Sequence, residues 1–268
     1  MKTFLLLICN LFIFTTLFGQ GHLMIIGGGK RPELVMKKFV ELAGGSDARI
    51  AIIPMASAYY LESGTKYEQE FLKYGAAEAK AFFILDSLMA ENDSIADELS
   101  TYDAVFFGGG DQNKLTAIFL GTACYRTFLQ LYRQGKVLGG TSAGAAIMSR
   151  IMITGDGNWE TISVDSVKTA NGFGFLQNVV VDQHFIKRSR LNRLISVCLQ
   201  HRISGVGIDE STALLVKPDL TAEILGESSV IVLDLSSGDV SNTGNLLKGK
   251  NIGLHVLTPG HQINLNDL

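Results

Sequence analysis

The residues Gly140-Thr141-Ser142-Ala143-Gly144 follow the apolar run Lys136-Val137-Leu138-Gly139 and open the small-residue stretch Ala143-Gly144-Ala145-Ala146-Ile147-Met148. A G-x-S-x-G sequence between a strand and a helix forms a sharp elbow that lifts the serine hydroxyl to the carboxyl edge of a sheet. The helix N-terminus behind it offers unpaired N–H groups to a developing oxyanion. Ser142 is therefore the candidate nucleophile, and the Ala143 N–H a candidate oxyanion donor. In a chain with 29 glycines such a sequence can also be a plain turn, so the argument depends on what stands at the other strand ends.

A nucleophilic serine needs a base within hydrogen-bond reach. Of the five histidines, only His184 stands in a polar cluster directly after a β-rich run, Val179-Val180-Val181-Asp182-Gln183-His184. Another strand end, Gly207-Ile208-Asp209-Glu210-Ser211-Thr212, carries two carboxylates, Asp209 and Glu210, either of which could orient the imidazole and stabilise its cation. The order serine, histidine, acid differs from the serine, acid, histidine order of α/β-hydrolases, which disfavours an ordinary lipase or esterase.

Three further segments have chemical potential. Phe106-Phe107-Gly108-Gly109-Gly110-Asp111-Gln112 brings bare backbone to a strand end, and the Gly109 and Gly110 N–H groups could complete an oxyanion hole with Ala143. Asp111 stands where a helix N-cap is wanted, which leaves Gln112 as the better substrate contact. Gly27-Gly28-Gly29-Lys30-Arg31 lacks the third glycine of a dinucleotide fingerprint and the Ser or Thr of a P-loop. It reads as close backbone packing near a site. Lys187-Arg188-Ser189-Arg190-Leu191-Asn192-Arg193 places three arginines just after the candidate base, where guanidinium groups could pair with the carboxylates of an acidic substrate.

The elements that must position these residues alternate. Short apolar runs at 23–27, 49–54, 80–85, 104–108, 137–140 and 179–181 are separated by amphipathic stretches such as 33–43 and 113–133. That alternation predicts an α/β fold with a mostly parallel central sheet and helices on both faces, at whose strand carboxyl ends ligands bind. Closely spaced runs after residue 204 predict a β-rich C-terminal part. Residues 155–175, which include Trp159 and Glu160, read as a loop with strand character near the site.

Residues 1–19 combine Lys2 with apolar runs and end at Leu17-Phe18-Gly19, the pattern of a secretory signal peptide cleaved near Gly19. The expected product is one exported domain, residues 20–268, periplasmic or extracellular, without stable membrane insertion. Lys2 is the one charge in the leader, so the remainder carries 22 basic and 26 acidic side chains. That balance gives no general attraction to nucleic acid. Cys124 and Cys198 remain after cleavage, in helix-like patterns that suit either a disulfide or two buried thiols. No metal-ligand spacing is evident, and no cofactor is expected.

Taken together, Gly108–Gln112, Gly140–Ala145, Asp182–Phe185 with Arg188, Arg190 and Arg193, and Gly207–Glu210 closely resemble the serine peptidase family that contains cyanophycinase and aspartyl dipeptidase. The resemblance runs in order through nearly all of residues 20–268. It implies a flavodoxin-like fold similar to class I glutamine-amidotransferase domains. It also implies exopeptidase hydrolysis of multi-L-arginyl-poly-L-aspartate (cyanophycin) to β-Asp-Arg dipeptides, without a cofactor. By resemblance Ser142 is the nucleophile, His184 the base and Glu210 the acidic partner, while Gln112, Asp182, Gln183, Arg188, Arg190 and Arg193 contact substrate. The expected partner is this polymer or another acidic peptide, and a homodimer is compatible with the chain. A dipeptidase for short Asp-containing or β-aspartyl peptides is the alternative enzyme, and a non-catalytic acidic-peptide-binding module the alternative of another class.

Overall fold

A computed structural model describes residues 20–268, and the expected signal peptide, residues 1–19, lies outside them. The first five strands are β1 (His22–Ile26), β2 (Arg49–Ile53), β3 (Glu78–Ala81), β4 (Ala104–Phe107) and β5 (Val137–Thr141). They pair in parallel in the order β3-β2-β4-β5-β1. Such strands are buried on both faces, which is why the runs are apolar throughout instead of alternating. The helices α1 (Glu33–Leu42), α2 (Tyr60–Lys73), α3 (Ser87–Ala90), α4 (Asp93–Ser100), α5 (Gln112–Phe119) and α6 (Ala123–Arg133) connect them.

The period-2 pleat sends alternate strand residues to opposite cores. Met24, Ile26, Ile50, Ile52 and Phe106 pack with Val35, Phe39 and Phe71 of α1 and α2. Leu23, Ile25, Ile53, Val105 and Phe107 pack with Leu115, Phe119 and Phe128 of α5 and α6. Each fully buried side chain of this size contributes about 1.5–3 kcal/mol, so both faces of the sheet are firmly held.

The expected stretch 113–133 is two helices rather than one. Gly121, at φ +82°, breaks the first, and Thr122 caps the second by accepting the Tyr125 N–H at 3.3 Å. The helix α7 (Ala143–Ala146) after β5 is a single turn. The third strand begins two residues earlier than its apolar run suggested and ends at Ala81.

The β-rich part divides. Strands β10 (Thr212–Val216), β11 (Thr221–Gly226) and β16 (Gln262–Asn264) extend the main sheet antiparallel beyond β1. Strands β8 (Val179–Gln183), β9 (Ser204–Ile208), β12 (Val230–Asp234) and β15 (Gly253–Leu257) form a second sheet, ordered β15-β12-β9-β8. Helix α8 (Leu191–His201) packs on that sheet with Leu194, Val197 and Cys198. Two hairpins stand apart from these sheets: β6 (Ile151–Gly157) with β7 (Val167–Asn171), and β13 (Asp239–Thr243) with β14 (Leu246–Lys250). The expected loop at 155–175 thus includes much of the first hairpin. Among the described residues no helix is long and apolar enough to cross a membrane.

Cys124 and Cys198 are free and buried in different apolar clusters. Burial pushes the Cys124 thiol up to about 11 and raises Cys198 as well, so neither is a ready nucleophile.

Candidate active site

The small residues of the elbow are required by close backbone contacts. A Cβ at Gly140 would lie 2.4 Å from the Gly144 carbonyl oxygen, and one at Gly144 would lie 2.2 Å from the Phe107 carbonyl oxygen. With both absent, β5 turns directly into α7, and Ser142 sits half-buried at φ +53° and ψ −108°. A non-glycine residue in this region carries about 1–3 kcal/mol of strain. The surrounding bonds hold it there: the Ser142 N–H donates to the Ile26 carbonyl at 3.0 Å, and the Ala145 and Ala146 N–H groups donate to the Ser142 carbonyl.

Ser142 Oγ lies 2.9 Å from His184 Nε2, and His184 Nδ1 lies 2.6 Å from Glu210 Oε1. His184 and Glu210 come from a different sheet than the serine. His184 follows β8 and Glu210 follows β9, so the chain of contacts bridges the seam between the two sheets. The single central sheet expected from the alternating runs would carry all these strand ends, but the fold divides them between two sheets. The second sheet instead forms because β8 pairs in parallel with β9, and β9 pairs with β12.

The glycine loop after β1 fills the seam. A Cβ on Gly28 would lie 2.3 Å from His184 Cε1, and one on Gly29 would lie 2.9 Å from Glu210 Cβ. Three consecutive carbonyls then tie the catalytic segments together. Ile26 accepts from Ser142 N–H, Gly27 from His184 N–H at 2.7 Å, and Gly28 from Ser211 N–H at 2.9 Å.

The two candidate acids separate cleanly. Asp209, 8% exposed, accepts the Lys187 N–H at 2.9 Å and the Ser228 hydroxyl at 2.8 Å, and so anchors loops. Glu210 alone reaches the imidazole. Desolvation lowers the His184 pKa below its ordinary value, and Arg188 and Arg190 lower it further, while the hydrogen bond to Glu210 partly opposes them. The ring is therefore neutral near pH 7, with Nδ1–H donating to Glu210 and Nε2 free to accept the serine proton.

The Ala143 and Gly110 N–H groups have no protein acceptor among the described residues, which makes them the candidate donors to an oxyanion. The Gly109 N–H is already directed to the Tyr67 hydroxyl at 3.3 Å. Asp111 caps α5 by accepting the Asn113 N–H. Gln112 Nε2 donates to the Ile153 and Thr154 carbonyls, both at 2.8 Å, which pins the β6–β7 hairpin beside the site and leaves the Gln112 side-chain oxygen without a protein donor among the described residues.

Asp182 and Arg193, both 1% exposed, form a buried bidentate pair, with Arg193 Nε 2.7 Å from Asp182 Oδ2. The Trp159 ring lies 5.4 Å from the same guanidinium. Direct substrate contact, expected of both residues, is not open to groups so enclosed. Arg190 donates to the Gln183 carbonyl and side-chain oxygen and lies 3.8 Å from Asp182. Burial and the neighbouring Arg193 lower the Arg190 pKa to about 10, which leaves it a cation at neutral pH. Arg188 is exposed. Sequence reasoning missed Tyr67, whose part in the site depends on a contact 42 residues away.

Comparison with known proteins adds to this geometry. Residues 23–224 match the model of peptidase family S51. The chain is 36% identical over 256 residues to a cyanophycinase of Synechococcus elongatus, covering 92% of this chain and 80% of that protein. It is 34% identical over 255 residues to a cyanophycinase of Geminocystis herdmanii, covering 91% and 94%. The fold is similar to the crystal structure of a peptidase from an acI-B1 Actinobacterium, with a TM-score of 0.69 at 22% identity, over 92% of this chain and 98% of that one.

Proposed function

Because this chain belongs to peptidase family S51 and is a serine peptidase related to cyanophycinases, we propose that it hydrolyses cyanophycin to β-Asp-Arg dipeptides through Ser142, His184 and Glu210. The observation that carries this reading is the continuous contact from Ser142 Oγ through the His184 ring to Glu210.

In the proposed reaction His184 Nε2 takes the Ser142 proton as Oγ attacks the backbone carbonyl next to an aspartate. Glu210 stabilises the imidazolium that results. The N–H groups of Ala143 and Gly110 hold the oxyanion, while the Gly109 N–H stays on the Tyr67 hydroxyl. His184 then returns the proton to the leaving amine, and water, deprotonated by the same imidazole, hydrolyses the acyl-enzyme.

Substrate recognition follows from charge. Exposed Arg188 and half-buried Arg190 face backbone carboxylates, the free side-chain oxygen of Gln112 accepts from the arginyl branch, and Gln183, its oxygen held by Arg190, offers its NH2 to a substrate carbonyl. Asp182 and Arg193 act through Arg190 and Gln183, which they hold in place. We also propose export, on the leader-like sequence of residues 1–19, with 20–268 acting as one domain. An exported enzyme would meet polymer released by other cells.

The test is to incubate purified protein and the Ser142→Ala variant with insoluble cyanophycin and to weigh the soluble products by mass spectrometry. Release of β-Asp-Arg by the wild type and none by the variant is expected. Equal release by both would refute the serine mechanism. Cleavage of short Asp-containing peptides, with the polymer untouched, would favour the dipeptidase reading.

A further inference from the structure

The glycines after β1 are explained by His184 and Glu210, but the Arg31 that ends the same motif is not. Its guanidinium crosses to α2, where Nε and Nη2 bond Glu70 Oε2 at 2.9 and 2.6 Å. In doing so it lies 4.7 Å over the ring of Tyr67. Below, that ring packs on Phe106 with centroids 5.4 Å apart. Tyr67 is thus clamped between a cation and the core, 7% exposed, with its hydroxyl at the Gly109 N–H. Burial raises its pKa, so the group stays a neutral phenol.

Gly109 backs directly onto the nucleophile: a Cβ there would touch Ser142 Cβ at 3.4 Å. The next residue, Gly110, has φ +141° and an N–H without a protein acceptor among the described residues. A glycine turn has little conformational preference of its own. Its orientation at the serine must come from bonds outside it, namely Gly108 N–H to Ile53, Asp111 N–H to Ala56, and Gly109 N–H to Tyr67. The first two lie at the ends of the turn, and the Tyr67 bond is the one in its middle.

We propose that Tyr67 is a positioning residue for the oxyanion hole: its hydroxyl, locked under Arg31, fixes the Gly109–Gly110 turn against Ser142. This rests on the serine mechanism above. Arg31 and Glu70 hold the phenol, the phenol holds the Gly109 amide, and the turn presents the Gly110 N–H opposite that of Ala143.

Tyr67→Phe removes one oxygen and keeps the ring between Arg31 and Phe106. The experiment compares wild type and this variant by the rate of Ser142 labelling with a fluorophosphonate, whose phosphonyl oxygen occupies the hole, together with kcat, KM and melting temperature. Loss of one hydrogen bond that orients the hole predicts labelling and kcat lower by about 3- to 10-fold, with KM unchanged and the melting temperature lower by no more than about 4 °C. An unchanged labelling rate overturns the proposal, as does a raised KM or lowered melting temperature at constant kcat. Faster labelling also overturns it, because the hydroxyl would then be competing with the oxyanion for the Gly109 N–H. If wild type is not labelled at Ser142, the serine mechanism fails and the proposal with it. If wild type is labelled but leaves cyanophycin intact, only the substrate assignment fails, and the labelling comparison still decides the role of Tyr67.

Discussion

Replacing Gly28 by alanine tests whether the glycine loop sets the catalytic distance. The added Cβ would lie 2.3 Å from His184 Cε1 and 2.5 Å from Nε2, whereas ordinary contact begins near 3.4 Å. The imidazole or the loop must therefore retreat by about 1 Å. Either movement breaks something essential. If the ring moves, the 2.9 Å contact with Ser142 opens beyond hydrogen-bond range. If the loop moves, Gly27 and Gly28 lose the N–H groups of His184 and Ser211. Misplacement of a reacting group by about 1 Å costs roughly 100-fold in rate, equivalent to about 2.7 kcal/mol. Gly28 also has φ +109°, so alanine adds strain of about 1–2 kcal/mol. Gly45→Ala supplies the control: Gly45 has φ +67° but nothing within 4 Å of its would-be Cβ. Both variants are expected to lose some melting temperature, and Gly28→Ala alone to lose about 100-fold in kcat on cyanophycin. A Gly28→Ala enzyme within threefold of wild type would refute the reasoning.

Two other perturbations follow from buried charge. Because desolvation lowers the His184 pKa, kcat/KM should rise with pH through a limb whose midpoint lies below the ordinary histidine value of 6.5; a midpoint at or above 6.5 in a pH–rate profile would contradict this. The same shift makes the unfolded histidine the better proton acceptor, so this group's contribution to stability is lost as pH falls from 6.5 through the lowered folded value. Asp182→Asn leaves the Arg193 guanidinium buried without its counter-charge. That should cost about 3–5 kcal/mol and lower the melting temperature by roughly 10 °C in calorimetry, and a drop of under 2 °C would show that the pair is not a structural support.

Much of the site could be read from the sequence because its chemistry clusters where apolar runs stop. Ser142, His184 and Glu210 each stand within three residues of a strand end, and polar groups there have few structural uses. The choice between Asp209 and Glu210 could not be made from the residues alone, since adjacent side chains leaving a strand point to opposite sides. Only the fold shows Asp209 turned to Lys187 and Ser228. The second sheet was hidden for a related reason: periodicity identifies strands but carries no record of their partners. Asp182 and Arg193 read in the sequence as substrate contacts on either side of the base, and only their mutual burial shows them supporting Arg190.

The backbone of residues 26–28 explains how a triad can be assembled across two sheets with such short contacts. Ser142 is carried by the main sheet, His184 by the second, and Glu210 by the crossover between β9 and β10, so no single element fixes their spacing. The carbonyls of Ile26, Gly27 and Gly28 accept in turn from Ser142, His184 and Ser211, which is one donor from each catalytic segment. Carbonyl spacing along a chain is set by covalent geometry, so these three bonds add a fixed template to the apolar core that the two sheets share. The glycines are needed because the imidazole and the carboxylate must lie flat against that template, at distances where a Cβ would intrude. What resembled an incomplete phosphate loop is in this reading the scaffold of the triad.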